Sequence, residues 1–199
     1  LVIGNGAYAH APPLPNPPRD ARAVAAAFRR LGFDVVEGID LGRAELVRAL
    51  RDFGRRSDSA ELAVVYFAGH GIQVKGQNYI LPIDAQLERE QDLGYEAISV
   101  QAVLDEAVGA RRLRLVILDA CRDNPFVARL QRDMGAARSM SVGRGLKIIE
   151  TIAPDTLIAY ATTADAIAED GSGEHSPYTA ALLEHLETPG LELNLLFGR

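Results

Sequence analysis

The sequence predicts an α/β fold, a mostly parallel central sheet with helices on both faces. Three observations predict it. Short apolar runs of β type alternate with stretches of helical periodicity, the wiring of a parallel sheet with right-handed crossovers. Two runs, Leu62 to Ala68 (LAVVYFA) and Leu113 to Ala120 (LRLVILDA), end in chemistry-bearing residues, as strands of open parallel sheets do at their carboxyl ends. At 199 residues and 48% apolar composition, the chain is one ordinary domain with ample material for a core.

Each element follows from local pattern. Leu1 to Ile3 reads as a buried strand end, followed by a Gly/Pro-rich loop through Pro18. Pro18 suits a first helical turn, and Ala21, Val24, Phe28 and Leu31 recur at helical spacing before Gly32 stops the helix. Phe33 to Ile39 reads as a second strand. Arg43 to Phe53 repeats the helical pattern through Leu46, Val47, Leu50 and Phe53, and leads into the Leu62 to Ala68 strand. Ile72 to Val74 and Tyr79 to Leu81, bridged by Lys75-Gly76-Gln77, predict a small hairpin beyond it. Ser99 caps a helix carrying Val100, Val103, Leu104, Ala107 and Val108, after which the second long run begins.

Periodicity is lost from Asp123 to about Lys147, where Arg129, Arg132, Arg138, Arg144 and Lys147 stand among Gly and Ser, and this predicts a mobile linker. Thr156 to Ala161 (TLIAYA) is a further strand, Ser176-Pro177 opens a helix through Leu186, and Gly190 to Phe197 begins another that the chain cuts short. The domain therefore divides into a larger part, 1–123, a linker near 124–147, and a smaller part, 148–199, incomplete at its end.

Composition narrows the function. The net charge is −6, and the 21 Lys and Arg are dispersed, without the basic stripe of a nucleic-acid binder. One cysteine cannot make an internal disulfide, so redox compartment stays open. No apolar run approaches the ~20 residues of a membrane-spanning helix. The chain opens on Leu1-Val2-Ile3, the tail of a strand rather than a start methionine, so residues removed before it leave location open, with the cytoplasm favoured for a soluble chain in which no signal peptide is visible.

The chemistry concentrates at the ends of the two long runs. Tyr66-Phe67-Ala68-Gly69-His70-Gly71 and Leu118-Asp119-Ala120-Cys121-Arg122-Asp123 carry one of four histidines and the sole cysteine. A thiol attacks as the thiolate, so a cysteine nucleophile needs an imidazole or other positive group beside it. Carboxyl-terminal strand ends put His70 and Cys121 on one rim, and the glycines flanking His70 leave room for a substrate backbone. A buried cysteine alone is a small hydrophobe, but their separation of 51 residues matches the His-to-Cys spacing of caspases. Asp119, two residues before Cys121, alternates to the same side of the strand. A carboxylate there binds a guanidinium bidentately and repels an anion.

Gly4-Asn5-Gly6-Ala7-Tyr8-Ala9 formally fits a dinucleotide fingerprint. Context defeats it, because that motif must open a helix and Pro12, Pro13, Pro15, Pro17 and Pro18 occupy the stretch that follows.

The chain resembles the caspase-like cysteine peptidases, in particular their metacaspase, paracaspase and bacterial orthocaspase branch. The matching residues are Val2-Ile3-Gly4-Asn5 with Tyr8, Leu14 with Asp20-Ala21, Tyr66 to Gly71, Tyr79-Ile80-Leu81-Pro82-Ile83-Asp84, Asp119-Ala120-Cys121-Arg122, and His175-Ser176-Pro177-Tyr178-Thr179. The resemblance implies a caspase-like three-layer fold, His70 as general base and acid, and Cys121 as nucleophile. It implies backbone N–H groups of Gly71 and Cys121 as the oxyanion hole, and Ala161, Thr162, Thr163 and Ala164 lining the substrate groove. Where caspases carry Gln-Ala-Cys-x-Gly this chain has Asp119-Ala120-Cys121-Arg122-Asp123, which moves the implied preference from aspartate to arginine or lysine, with Asp20 and Asp119 as the pocket acids.

The expected protein is a cysteine endopeptidase acting on peptides with Arg or Lys before the scissile bond, favoured as a monomer, with no cofactor and no nucleic-acid partner. Its competitor is a caspase-like pseudoenzyme or peptide-binding module. Asp84, Asp92, Asp165, Glu169 and Asp170 lack the loop pattern of a calcium site, and His10, His175 and His185 lack metal-ligand spacing, which predicts metal independence and surface or capping roles for those histidines. An arginine-selective enzyme would meet its own substrate in the linker, at Arg138 and Arg144.

Overall fold

The computed structural model describes residues 1–121, 125–134, 142–143, 146, 154–161 and 173–197. In chain order the first elements are β1 (Val2–Gly4), α1 (Asn16–Arg30), β2 (Glu37–Ile39), α2 (Arg43–Ser57), β3 (Leu62–Val74), β4 (Gln77–Ile80), α3 (Leu93–Glu96) and β5 (Ile98–Ser99). They continue with α4 (Val100–Glu106), β6 (Leu113–Cys121), α5 (Pro125–Met134), β7 (Val142–Gly143), β8 (Thr156–Tyr160), α6 (Pro177–His185) and α7 (Leu193–Phe197).

The parallel sheet runs β2-β1-β3-β6-β8, so β3 and β6 hold its centre. Alternation along the strands divides the core. Ala63, Val65 and Phe67 of β3 with Val116, Leu118 and Ala120 of β6 pack against Leu46, Leu50 and Phe53 of α2 and Val100 and Val103 of α4. Val64, Tyr66 and Ala68 with Leu115 and Ile117 turn the other way, against Ala21, Val24, Ala25 and Phe28 of α1 and Leu182 of α6. Helices thus cover both faces, as the sequence predicts.

β3 departs from the sequence reading. Instead of a strand followed by a separate hairpin, it continues unbroken through His70 to Val74, pairing parallel with β1 and β6 and then antiparallel with β4 and β7. Gly69 makes the transition possible. Its φ is +149°, and a Cβ there would stand 2.6 Å from the Tyr8 hydroxyl. β5 extends the antiparallel part beyond β4. A second core lies beneath it, formed by Tyr8, Ile72, Val74, Leu81, Leu87, Leu93, Phe126 and Leu130.

Phe126 and Leu130 correct a further expectation. Within the segment read as an aperiodic linker, α5 is a helix whose Phe126 and Leu130 are fully buried and whose Val127 is nearly so. Its buried positions, Phe126, Val127 and Leu130, alternate with Arg129, Arg132 and Asp133, and burial against the second core stabilises them. Arg138 and most of the remaining linker lie outside the described residues.

Smaller differences have local causes. α1 starts at Asn16 rather than Pro18, because the first helical N–H groups have no intrahelical partner and two prolines cost nothing there. α2 runs on to Ser57, α4 ends at Glu106, and β2 begins only at Glu37. The fingerprint-like glycines are spacers. A Cβ on Gly4 would lie 2.2 Å from the Pro17 carbonyl oxygen and one on Gly6 2.2 Å from that of Leu14, so they admit the proline-rich segment against β1. Among the described residues, no helix is long and apolar enough to cross a membrane.

Candidate active site

Nine consecutive pairs join β3 to β6, and the last is His70 opposite Cys121. Neighbouring strands lie about 4.8 Å apart, so the two backbones meet at one end of the central ladder. The Cys121 side chain lies outside the described part.

His70 is held from several sides. Its backbone N–H donates to the Tyr8 hydroxyl at 2.7 Å, and that hydroxyl donates onward to the Leu81 carbonyl at 3.2 Å. The His70 carbonyl accepts the Leu81 N–H at 3.0 Å. Its ring lies 4.5 Å from that of Tyr8 and 6.2 Å, edge-on, from that of Phe126, and the residue is 2% exposed. Asn5, fully buried, fastens the surrounding loops: its Nδ2 donates to the Leu41 and Leu81 carbonyls and its Oδ1 accepts the Leu41 N–H. The side-chain positions of the two glycines flanking His70 are occupied by neighbouring residues. Tyr8 fills that position at Gly69, and at Gly71 a Cβ would lie 3.0 Å from that of Ala120 and 3.1 Å from Leu146.

Asp119 precedes Cys121 by two positions and is 5% exposed. Its Oδ2 accepts the Ser176 hydroxyl at 2.5 Å and the Thr179 hydroxyl at 2.8 Å. Tyr66, two register pairs earlier on β3, places its hydroxyl 2.6 Å from Thr179 Oγ1 and 3.5 Å from the same carboxylate oxygen. Because Thr179 spends its hydrogen on Asp119, Tyr66 donates to Thr179. Ser176 acts twice, since its Oγ also accepts the Thr179 N–H at 3.0 Å and caps α6.

Asp20, on the second turn of α1 and 1% exposed, reaches the same place. Oδ1 takes His175 Nδ1 at 2.7 Å, and Oδ2 takes the Ser176 backbone N–H at 3.3 Å. Ser176 thus touches both acids, with its hydroxyl on one and its backbone on the other. Burial pushes both carboxyls above the ordinary range. At Asp119 the Ser176, Thr179 and Tyr66 hydroxyls oppose that rise; at Asp20 the His175 and Ser176 bonds oppose it and the charge of Asp119 adds to it. The Tyr66 hydroxyl is driven well above its usual value by burial and then by Asp119. Two desolvated carboxyls thus meet at one helix start, each held by a hydrogen bond from Ser176.

The remaining positions separate. Ala161 follows β8, half-buried, and its N–H is spent on the Leu118 carbonyl at 3.0 Å. Thr162, Thr163 and Ala164 lie outside the described residues, as do Asp165, Glu169 and Asp170. Asp84 accepts the Arg43 N–H at 2.9 Å at the start of α2, and Asp92 pairs with Arg89 at 3.1 Å. The His10 carbonyl accepts from Arg129 at 2.8 Å. Tyr66, Ser176 and Thr179 lie in the motifs that carry the resemblance, but sequence reasoning assigned no acid-binding role to any of them. His175, read as a surface or capping residue, is an Asp20 partner.

The described fold is an α/β domain whose central parallel sheet sets His70 of β3 in register with Cys121 at the end of β6. Residues 1–199 match the family described as the caspase domain, and the chain belongs to that family. It is similar to mucosa-associated lymphoid tissue lymphoma translocation protein 1 from Homo sapiens and to its homolog from Mus musculus. Each is 30% identical over 126 residues, which is 61% of this chain and 15% and 14% of the respective relatives. The chain thus matches about a seventh of their length.

Proposed function

We propose that this domain is a cysteine endopeptidase that cleaves after arginine or lysine through a His70/Cys121 dyad. Membership of a peptidase family and the register of His70 with Cys121 support the chemistry. The observation that carries the specificity is the convergence on Ser176 of two buried acids, Asp20 of α1 and Asp119, which lies two residues upstream of Cys121 along β6.

In this mechanism the Cys121 thiolate attacks the peptide carbonyl carbon. The carbonyl π electrons move to oxygen, where the backbone N–H groups of Gly71 and Cys121 stabilise the oxyanion; losing one such donor typically costs about 10²- to 10³-fold in rate. His70, protonated by the thiol, gives its proton to the departing amine as the C–N bond breaks. Water, deprotonated by His70, then attacks the thioester, and cleavage of the C–S bond releases the acid and restores the thiol. The substrate guanidinium or ammonium neutralises the Asp20 and Asp119 carboxylates, whereas an acidic side chain meets repulsion.

The test is hydrolysis of matched peptides with Arg, Lys or Asp before the scissile bond, using wild-type, Cys121→Ala and Asp119→Ala proteins. Expected are turnover of the Arg and Lys peptides by wild type, none by Cys121→Ala, and selective loss by Asp119→Ala. Faster cleavage after Asp would overturn the pocket assignment. The same specificity makes Arg138 and Arg144 self-processing sites, to be read as fragments present in wild type and missing from Cys121→Ala on a denaturing gel.

A further inference from the structure

We propose that His175 is the positioning residue of the basic-side-chain pocket: its imidazole fixes the Asp20 carboxylate so that the pocket prefers a charged side chain over a neutral one of the same shape. The inference rests on the reading that Asp20 and Asp119 receive the substrate's cation, and it adds what sets the strength of that preference.

Both Asp20 oxygens are held, by the His175 ring at 2.7 Å and by the Ser176 N–H at 3.3 Å. These donors come from consecutive residues and act as a two-pronged clamp on one carboxylate. An ionised carboxylate only accepts, so Nδ1 carries the hydrogen in this pair. The Ser176 prong is backbone and persists in any side-chain variant, which leaves the imidazole as the side-chain lever on Asp20. The longer of the two bonds is the backbone one, so the imidazole dominates the clamp.

Exposure separates the partners. The Asp20 side chain is 1% exposed and that of His175 23%, so His175 closes the solvent side of the carboxylate. Asp119 needs no such help, because Ser176 and Thr179 already orient it. Without the imidazole, Asp20 would lie buried near a second acid with one weak donor, an arrangement that favours retaining a proton and removes one of the two charges that recognise the substrate.

The experiment compares peptides carrying arginine or citrulline, its neutral isostere, before the scissile bond, with wild-type, His175→Leu, His175→Asn and His175→Gln proteins. Asn sets its amide where Nδ1 stands, and Gln carries it one bond farther out. Expected for His175→Leu is a KM for the arginine peptide about tenfold higher, from loss of a bond to a charged group, with kcat within about twofold and citrulline kinetics unchanged. His175→Asn should match wild type. The inference is overturned if His175→Leu keeps the wild-type KM, if it lowers kcat on both peptides alike, or if Asn loses as much as Leu. Should His175→Leu fail to fold, the Asn and Gln pair decides: Gln alone raises KM, and equal behaviour overturns the inference. A wild-type enzyme indifferent between arginine and citrulline would instead overturn the pocket reading beneath it.

Discussion

The two faces of the central sheet are made from alternate residues of the same strands, and they finish differently. Beneath α2 and α4 the sequence of contacts is apolar to the last residue, with Phe67, Leu118 and Ala120 buried together. Beneath α1 and α6 the same strands carry polar groups, where Tyr66 and Asp119 meet Ser176, Thr179 and Asp20. Strand parity therefore separates two tasks. One face supplies burial free energy; the other carries the cost of desolvated acids, offset by hydrogen bonds, and in the proposed function that cost makes a place for the substrate's cation.

The largest expected effect tests the apolar face. Phe67→Ala should cost about 3–5 kcal/mol of stability, as for a fully buried aromatic residue, measured by urea denaturation, while the arginine-to-citrulline ratio of the surviving fold stays at the wild-type value. A changed ratio would break the separation. Asp119→Ala attacks the other face and should lower kcat/KM for arginine peptides on the order of 10²-fold, the cost of leaving one partner of a buried charge pair alone.

Ser176→Ala removes a helix cap and a donor to Asp119 at once. It should cost about 1 kcal/mol of stability and also raise KM for arginine peptides, joining the two tasks at one residue. The smallest effect is in pH. Burial holds the Asp119 carboxyl above 3.8, so the folded chain keeps a proton that the unfolded chain releases. The stability this confers is present below 3.8 and is lost as pH rises through the raised value. Wild-type stability relative to Asp119→Asn should therefore fall across that acidic window and level off above it, by denaturation at successive pH values. A difference that grows with pH would place Asp119 among carboxylates stabilised by folding and sharpen the polar face into a source of stability.

Much of this architecture is readable in the chain because it is local. The alternation of apolar runs with helical spacing yields the order of elements, and Ser99 shows its cap, with its Oγ accepting the Ala102 N–H at 3.1 Å. His70 and Cys121 are legible as residues just past apolar runs, and the ladder pairs them, although β3 runs on beyond His70 to Val74. The polar network is a different matter. Tyr66 reads as one more residue of an apolar strand and Thr179 as helix interior, and their hydroxyls meet across 113 positions. Both stand in motifs, but nothing local pairs them. α5 escapes for the same reason, since what makes Phe126 and Leu130 core residues is a cavity assembled from elements that precede them. Asp119 lies between these cases: its identity is legible, its three hydroxyl partners are not.

The unbroken course of β3 has a consequence for how the domain comes apart. Thirteen residues span about 43 Å at the rise of an extended strand, and they contribute Phe67 to the first core and Ile72 and Val74 to the second. A strand shared in this way makes the two cores one cooperative unit, because opening either strips the ladder that the other needs. The best-protected amides of both cores should then exchange with solvent at a common rate set by global unfolding.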